Sequence, residues 1–519
     1  MIYSNSKRID SERMSVEIIS LKDKIIGYQE LIKSLQGSFH SSVSAREKQK
    51  SDYESTIAEK DAIIKELKNQ LAHMAAVAGH DGTNTGTPTS ATPINKKKII
   101  PNSRRSSENT KGGQYGHEKH ILESFADAEI TDTVSHELDT DSEACDCCSG
   151  NLVDTGKTIE KDEFDVEIKV IKRRHQYKIY QCVDCGATVR LPIDKRHKEK
   201  NQYGSNMQAL ALSLMSTGNV AINKVQMLIN GMTEGIMKPC EGFICKLYKR
   251  ASEGLFDFKE DLRRLMLTRI LIYWDDTVVM IQTKRACMRF YGDDTISYYT
   301  AHDAKDLDGI IDDNILTVLT KDTTVMHDHN RVNYNERFSY QNIECNQHLE
   351  RDLQKISDDN ATHTWSAKLK KLISTTIKAR KDFITGGLDS FEEDVINKFT
   401  SKVKKLLKLG QKENGASTDM YAVPFERAVI KRIDEYMDNY FMWIEDFSLP
   451  TTDNLSERGL RGIKSHMKIS GQFDSEKTAR YYATVKTYVE TCRKNNINEM
   501  DALSRLCAGN PYTVKEIFA

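Results

Sequence analysis

Three carboxylates stand where divalent-metal chemistry could use them. Asp275 follows the apolar run RILIYW, Asp328 follows TTVMH, and Glu457 lies in DNLSERGLR, read as the start of a helix. Hard cations such as Mg²⁺ need oxygen ligands that converge from several directions, so acids at two strand ends and a helix start are a suitable donor set. Each also has a plain structural reading. Asp275, Asp276 and Asp328 could end strands in solvated turns, and Glu457, three residues after Asn454, could partner it in a capping box. A second donor set is sulfur. Cys145-x2-Cys148 and Cys182-x2-Cys185-Gly186 are two knuckles, each able to turn two thiolates to one side, and together they predict a structural four-cysteine zinc site. Cys147 is a spare thiol beside the first pair, and free buried thiols are the alternative reading.

The elements that must hold these groups follow from periodicity. Between about 14 and 74 there is no proline, and Ile18, Ile25, Ile32, Phe39, Tyr53, Leu67 and Met74 recur at one heptad position, broken at Arg46 and Lys60. Leu21, Tyr28 and Leu35 flank this stripe on one side, then Ile57, Ile64 and Leu71 on the other, so the seam shifts phase near Gly37 to Gln49. The pattern predicts a self-associating coiled coil over 1–75. Residues 76–120 change to a Gly, Thr, Ser and Lys-rich linker, in which Lys96, Lys97, Lys98, Arg104, Arg105 and Lys111 could neutralise phosphates without a fixed fold.

Beyond the linker, the knuckles predict a zinc-binding domain over 121–200, whose EFDVEIKVIKRRHQYKIYQC alternates as two short strands would. Residues 201–262 read as short helices, consistent with a helix-turn-helix and equally with a generic bundle. Past 265, RILIYWDD, TVVMIQT, ACMRFYG, ISYYTA, ILTVLT and TTVMHD read as strands of a mixed sheet. Helices return from His348 to about Phe447 and again from Leu455. The fold class is therefore multidomain α+β.

Composition sets limits on function. Across 519 residues, 75 Lys and Arg against 76 Asp and Glu leave a net charge of -1, so a polyanion must be met by a local basic patch. No run approaches a membrane span, and MIYSNSKRIDSERM has no apolar signal core, which predicts a cytoplasmic protein with no membrane partner. Eleven cysteines are too few for a disulfide scaffold.

The surroundings of the acids are more specific than the acids themselves. Asp275-Asp276-Thr277, His327-Asp328-His329 with Cys345-x2-His348-x2-Arg351, and Asp453-Asn454-Leu455-Ser456-Glu457-Arg458 running to Ile469-Ser470-Gly471 together resemble the DDE transposases of the sixty-six family of bacterial insertion sequences. The segment Gly112 to His117 and the cysteine knuckles are similar to that family too, so the resemblance spans nearly the whole chain. Three features depart from it: Asp276 where the family has Glu, Asp453 where it has the first Asn of a pair, and Cys147.

The resemblance implies an RNase H-like catalytic core over 263–519, with Asp275, Asp328 and Glu457 binding two Mg²⁺ ions, or Mn²⁺, besides the structural zinc. The 129 positions between Asp328 and Glu457 (457 minus 328) imply an α-helical insertion at about 360–445. DNA contacts would come from Lys96, Lys97, Lys98, Arg104, Arg105, Arg351, Arg458, Arg461, Lys464 and Lys468. The implied activity is cutting and joining the DNA ends of a mobile element by two-metal phosphoryl transfer. Partners would be those ends, target DNA, a second copy of the chain and, as in some members, small accessory proteins, in a bacterial cytoplasm on the nucleoid. A catalytically silent DNA-binding regulator with the same domains is the alternative. A zinc-ribbon and coiled-coil scaffold is the third reading, and it leaves the strand-rich region unexplained.

Overall fold

A computed structural model describes residues 2–79, 123–139, 143–197, 199–360, 362–417 and 422–519. The linker residues Lys96, Lys97, Lys98, Arg104, Arg105 and Lys111, and the segment 112–117, lie outside the described residues. The chain divides into two units.

The first unit is built on one helix, α1 (Ile2–Gly79), 78 residues without interruption. The phase shift at Gly37 to Gln49 is absorbed without a break. Leu21, Ile25, Tyr28, Ile32, Leu35, Phe39, Tyr53, Ile57 and Ile64 are all exposed along it. A helix whose described apolar side chains are exposed gains little from packing there, because isolated helices rely on propensity alone.

In the second unit, the loop after Cys182 is closed by a hairpin, β1 (Ile179–Gln181) against antiparallel β2 (Thr188–Arg190), and the loop after Cys145 by a single bridge between Ala144 and Asn151. The two strands expected over 163–182 do not form: only Ile179–Gln181 of that run is extended and paired. Phe164, Val166, Ile168 and Ile171 carry the alternation but are exposed. An alternating pattern makes a strand only where a neighbour supplies backbone partners and a face to cover.

Four helices follow, α2 (Ser205–Ser216), α3 (Ile222–Met232), α4 (Glu241–Glu253) and α5 (Phe256–Met266). They join the same apolar core as the sheet through residues such as Leu212, Ile229, Leu247 and Leu262. The sheet comprises β3 (Leu271–Ile281), β4 (Lys284–Gly292), β5 (Ser297–His302), β6 (Thr324–His327) and β7 (Gln341–Glu344), in the order β5-β4-β3-β6-β7. The first three are antiparallel neighbours, and β6 and β7 run parallel to β3. A short helix, α6 (Leu307–Asp312), lies between β5 and β6.

Two expectations are corrected here. RILIYWDD and TVVMIQT are one strand, so Asp275 and Asp276 sit mid-strand, paired with Phe290 and Arg289, and do not end it. The run ILTVLT is not extended; its Ile315, Leu316 and Leu319 are buried from a chain of turns. A short apolar run reports burial before it reports conformation.

Both sheet edges are covered. Helix α7 (Asn346–Asp359) leads into α8 (Trp365–Thr385), α9 (Glu393–Ala416), α10 (Ala422–Glu435) and α11 (Met437–Phe441), which with α7 share a separate core around Trp365, Phe399 and Trp443. Asn439 in α11 donates to the Asn342 carbonyl of edge strand β7 at 2.8 Å. Then come α12 (Asn454–Ile469), α13 (Glu476–Lys494), α14 (Glu499–Cys507) and α15 (Val514–Ile517). At the other edge, Thr487 and Thr491 of α13 accept from the β5 amides of Tyr299 (2.9 Å) and Ser297 (3.2 Å). Side-chain hydroxyls thus satisfy edge amides that would otherwise need another strand. No helix among the described residues is long and apolar enough to cross a membrane.

Candidate active site

Strand β3 presents Asp275 and Asp276 to opposite faces, as a two-residue period requires. Asp276 is spoken for: its Oδ1 lies 2.5 Å from Lys305 Nζ, and the Cys287 thiol donates to its Oδ2 at 3.6 Å. Burial alone would lower the Lys305 ammonium, but the Asp276 charge and hydrogen bond outweigh it and hold it above the ordinary lysine value. Asp275 has no cation of its own at bonding distance among the described contacts; its Oδ1 accepts the Asp276 amide at 2.7 Å. Burial, then the charges of Asp328 and Asp276, push its carboxyl up to about 8, with the Asp276 amide and the Lys464 ammonium pulling the other way.

Asp328 follows the last residue of β6, and its backbone is clamped. His327 Nδ1 is 2.7 Å from the Asp328 carbonyl oxygen while His327 Nε2 is 2.8 Å from Asn342 Oδ1 on β7, and the Asn333 amide donates to the same carbonyl at 3.3 Å. On the next residue, His329 Nδ1 lies 2.7 Å from Glu344 Oε1, which also accepts the Tyr334 hydroxyl at 2.6 Å. Burial raises the Glu344 carboxyl, but the His329 bond, both histidine charges and Tyr334 hold it below the ordinary glutamate value. Sequence reasoning did not single out Glu344 or Tyr334; the only signal was a polar residue ending a strand.

Helix α12 brings the third acid. Its N-cap is Asp453, so Glu457 is the fourth helical residue, one too far along for a capping box. The Glu457 carboxylate turns instead to α7: its Oε1 is 3.3 Å from Arg351 Nη1 and 3.5 Å from His348 Nε2. Cys345, the N-cap of α7, accepts the Asp453 amide on its sulfur at 3.2 Å, and burial pushes its thiol up to about 12. Cys345, His348 and Arg351, three residues apart on one helical face, therefore grip successive parts of the α12 N-terminus. Gly459 lets α12 lie close on the sheet, because a Cβ there would meet the Phe290 ring at 2.8 Å, and its carbonyl accepts the Tyr299 hydroxyl at 3.1 Å.

Asp453 belongs to the same group of acids. Its side chain is fully buried and neither carboxylate oxygen has a hydrogen-bond partner. Burial, then the charges of Asp275, Asp328 and Glu457, push its carboxyl well up; the nearby Ser456 hydroxyl, which donates to the Asp453 carbonyl oxygen, offsets only part of this. Beyond Glu457, Arg461, Lys464 and Lys468 follow on its face at steps of four, three and four, with Arg458 beside them. Arg458, Arg461 and Lys468 are exposed, and Lys464 is half-buried with its charge felt at Asp275.

The cysteine knuckles are near-duplicates. Ser149 and Gly186, both with positive φ (55° and 72°), donate to the carbonyls of Cys145 (2.7 Å) and Cys182 (3.0 Å). The Cys145 and Cys182 amides donate to Gly150 and Ala187 carbonyls at 3.0 and 2.8 Å. The amides of Cys147 and then Cys148 hold the Cys145 thiol below its ordinary value, and those of Cys185 and then Asp184 do the same for Cys182. Low-pKa thiols on tight turns are prepared to ligate. Among the described residues, no three His, Cys, Asp or Glu side chains are drawn into a finished metal cage, either at the knuckles or at the acids.

The family model described as Transposase IS66 family matches residues 202–481, which takes in α2 to α12 and all four acids. No curated protein matches the chain.

Proposed function

Because the chain belongs to the IS66 family of transposases, we propose that it cuts and joins the DNA ends of an insertion sequence at Asp275, Asp328 and Glu457. The observation that carries this reading is the position of Asp275, half-buried mid-sheet in the field of Asp328 with no ion pair of its own among the described residues. The strand order β5-β4-β3-β6-β7, in which β4 alone is reversed and β3, β6 and β7 run parallel, supports an RNase H-like core. The donor chemistry fits a hard divalent cation: the acids are all oxygen donors, the carboxyls of Asp275 and Asp453 are pushed up partly by the charges of the others, and Asp453 has two unsatisfied oxygens.

Asp275, Asp328 and Glu457 would hold two Mg²⁺ or Mn²⁺ ions, which when bound supply Lewis acidity for in-line attack on phosphorus. Within the chain, β3 and β6 fix two carboxylates on parallel neighbours, while Arg351 and His348 hold the third until a stronger cation competes for it. Arg458, Arg461, Lys464 and Lys468 lie where a scissile strand's phosphates would pass, and no side chain is needed as a covalent nucleophile. Cys145, Cys148, Cys182 and Cys185 would close on one structural Zn²⁺, and α1 would pair with α1 of a second copy. Lys96, Lys97, Lys98, Arg104 and Arg105 would add phosphate contacts, in a bacterial cytoplasm. Purified full chain incubated with labelled element ends should cleave them only when Mg²⁺ or Mn²⁺ is present. Binding without cleavage in either metal would identify a catalytically silent regulator instead.

A further inference from the structure

We propose that Asp453 is a fourth carboxylate donor to the divalent-cation site, fixed in place by Cys345. This rests on the catalytic reading above and extends it to a residue that reading does not use. Asp453 is the N-cap of a 16-residue helix, the position at which an aspartate normally accepts the helix's own free amides. Here its side chain caps nothing, is fully buried, and leaves both oxygens without a partner. A buried carboxylate left unpaired is costly, and a structural role would have paired it.

What surrounds it is other acid: Asp275 first, then Asp328 and Glu457. Three neighbours of like charge make the position unfavourable for a capping device and favourable for a cation ligand, because a divalent ion converts mutual repulsion into shared attraction. The backbone is arranged to hold it so. The Asp453 amide is tied to Cys345 Sγ at 3.2 Å, and its carbonyl accepts both the Glu457 amide (3.2 Å) and the Ser456 hydroxyl (3.1 Å). Every polar backbone atom of the residue is thereby engaged while its carboxyl oxygens are left unpaired.

The test is Mn²⁺-dependent thermal stabilisation of the full chain, compared among the unaltered protein, Asp453→Asn, Asp275→Asn and Asp276→Asn. Asp453→Asn should need about 10- to 100-fold more Mn²⁺ for the same stabilisation, and its metal-free form should melt higher than the unaltered protein at neutral pH. Asp276→Asn should titrate like the unaltered protein. If circular dichroism shows Asp453→Asn to be unfolded, Asp453→Ser carries the same comparison. A Mn²⁺ response lost in Asp275→Asn but unchanged in Asp453→Asn would overturn this proposal and leave the catalytic reading standing. No Mn²⁺ response in the unaltered protein would overturn both.

Discussion

Lys305 Nζ sits 2.5 Å from Asp276 Oδ1, on the face of β3 opposite Asp275. One carboxylate of an adjacent pair is neutralised by a lysine, and the other is left among acids. Asp275→Asn should therefore abolish metal-dependent cleavage while Asp276→Asn retains most of it. Lys305 is about half exposed, so loss of the pair should cost no more than about 1 kcal/mol of stability. End cleavage alongside thermal denaturation checks both halves, and equal loss of cleavage in the two variants would reverse the assignment within the pair.

The knuckles predict one zinc per chain. Backbone amides lower the Cys145 and Cys182 thiols, which eases the proton release that zinc binding requires of those two ligands. Cys182→Ser should release the metal and increase proteolysis within 145–190. Metal analysis of the purified protein that finds no zinc would rule this site out.

For α1 the expected outcome is a change of mass. Its apolar stripe is exposed along the described side chains, and burying it against a second copy is the simplest way to keep a 78-residue helix folded. Deleting 14–74 should lower the mass from light scattering to that of a monomer, well beyond the deleted residues themselves. An unchanged oligomeric state would assign assembly to another surface.

How much could be read beforehand depended on whether a residue's role was local. The mixed sheet was legible because TVVMI, ACMRFYG and ISYYTA combine β-branched and aromatic residues with buried spacing. β7, only Gln341–Glu344, was not, since two polar residues begin it and its extended form comes from pairing with β6. Glu457 was ambiguous because a one-residue difference in helix start decides between capping and cleft, and Asp453 takes the cap position. The Cys345, His348 and Arg351 spacing was visible as one helical face, but its target 106 positions away was not. Such a link is encoded in the packing of α7 on the core, not in local pattern.

His466 offers a pH test of the helix that carries Glu457. It stacks on Phe473 with ring centroids 5.1 Å apart, and burial followed by the Lys486 charge pushes its imidazole down to about 4. The ordinary value of 6.5 applies to the unfolded chain, so between these limits the unfolded state takes up a proton that the folded state refuses. Stability should thus fall as pH drops from about 6.5 toward 4 and be indifferent to His466 above that window. His466→Phe keeps the stack and should recover on the order of 2 kcal/mol at about pH 4.5 relative to about pH 7.5. Urea unfolding at the two pH values measures it, and a parallel loss in both proteins would clear His466 of the effect.

Glu457 separates a metal ligand from a structural acid. The Arg351 and His348 contacts are to one carboxylate oxygen and are partly exposed, so as an ion-pair acceptor alone it should be worth about 1 kcal/mol or less. Glu457→Gln keeps an oxygen for Arg351 and keeps the side-chain shape, so folding and DNA binding should be close to normal. Cleavage and strand joining should nevertheless fall by at least about 100-fold, because a neutral amide cannot replace an anionic ligand in a two-metal site. Arg351→Ala should differ, weakening activity through the position of Glu457 without removing the charge itself. The measurement is Mg²⁺-dependent cleavage of an end-bearing duplex, with a gel shift on the same preparations. Near-normal cleavage by Glu457→Gln would make this residue a clamp between α7 and α12 and would remove it from the chemistry.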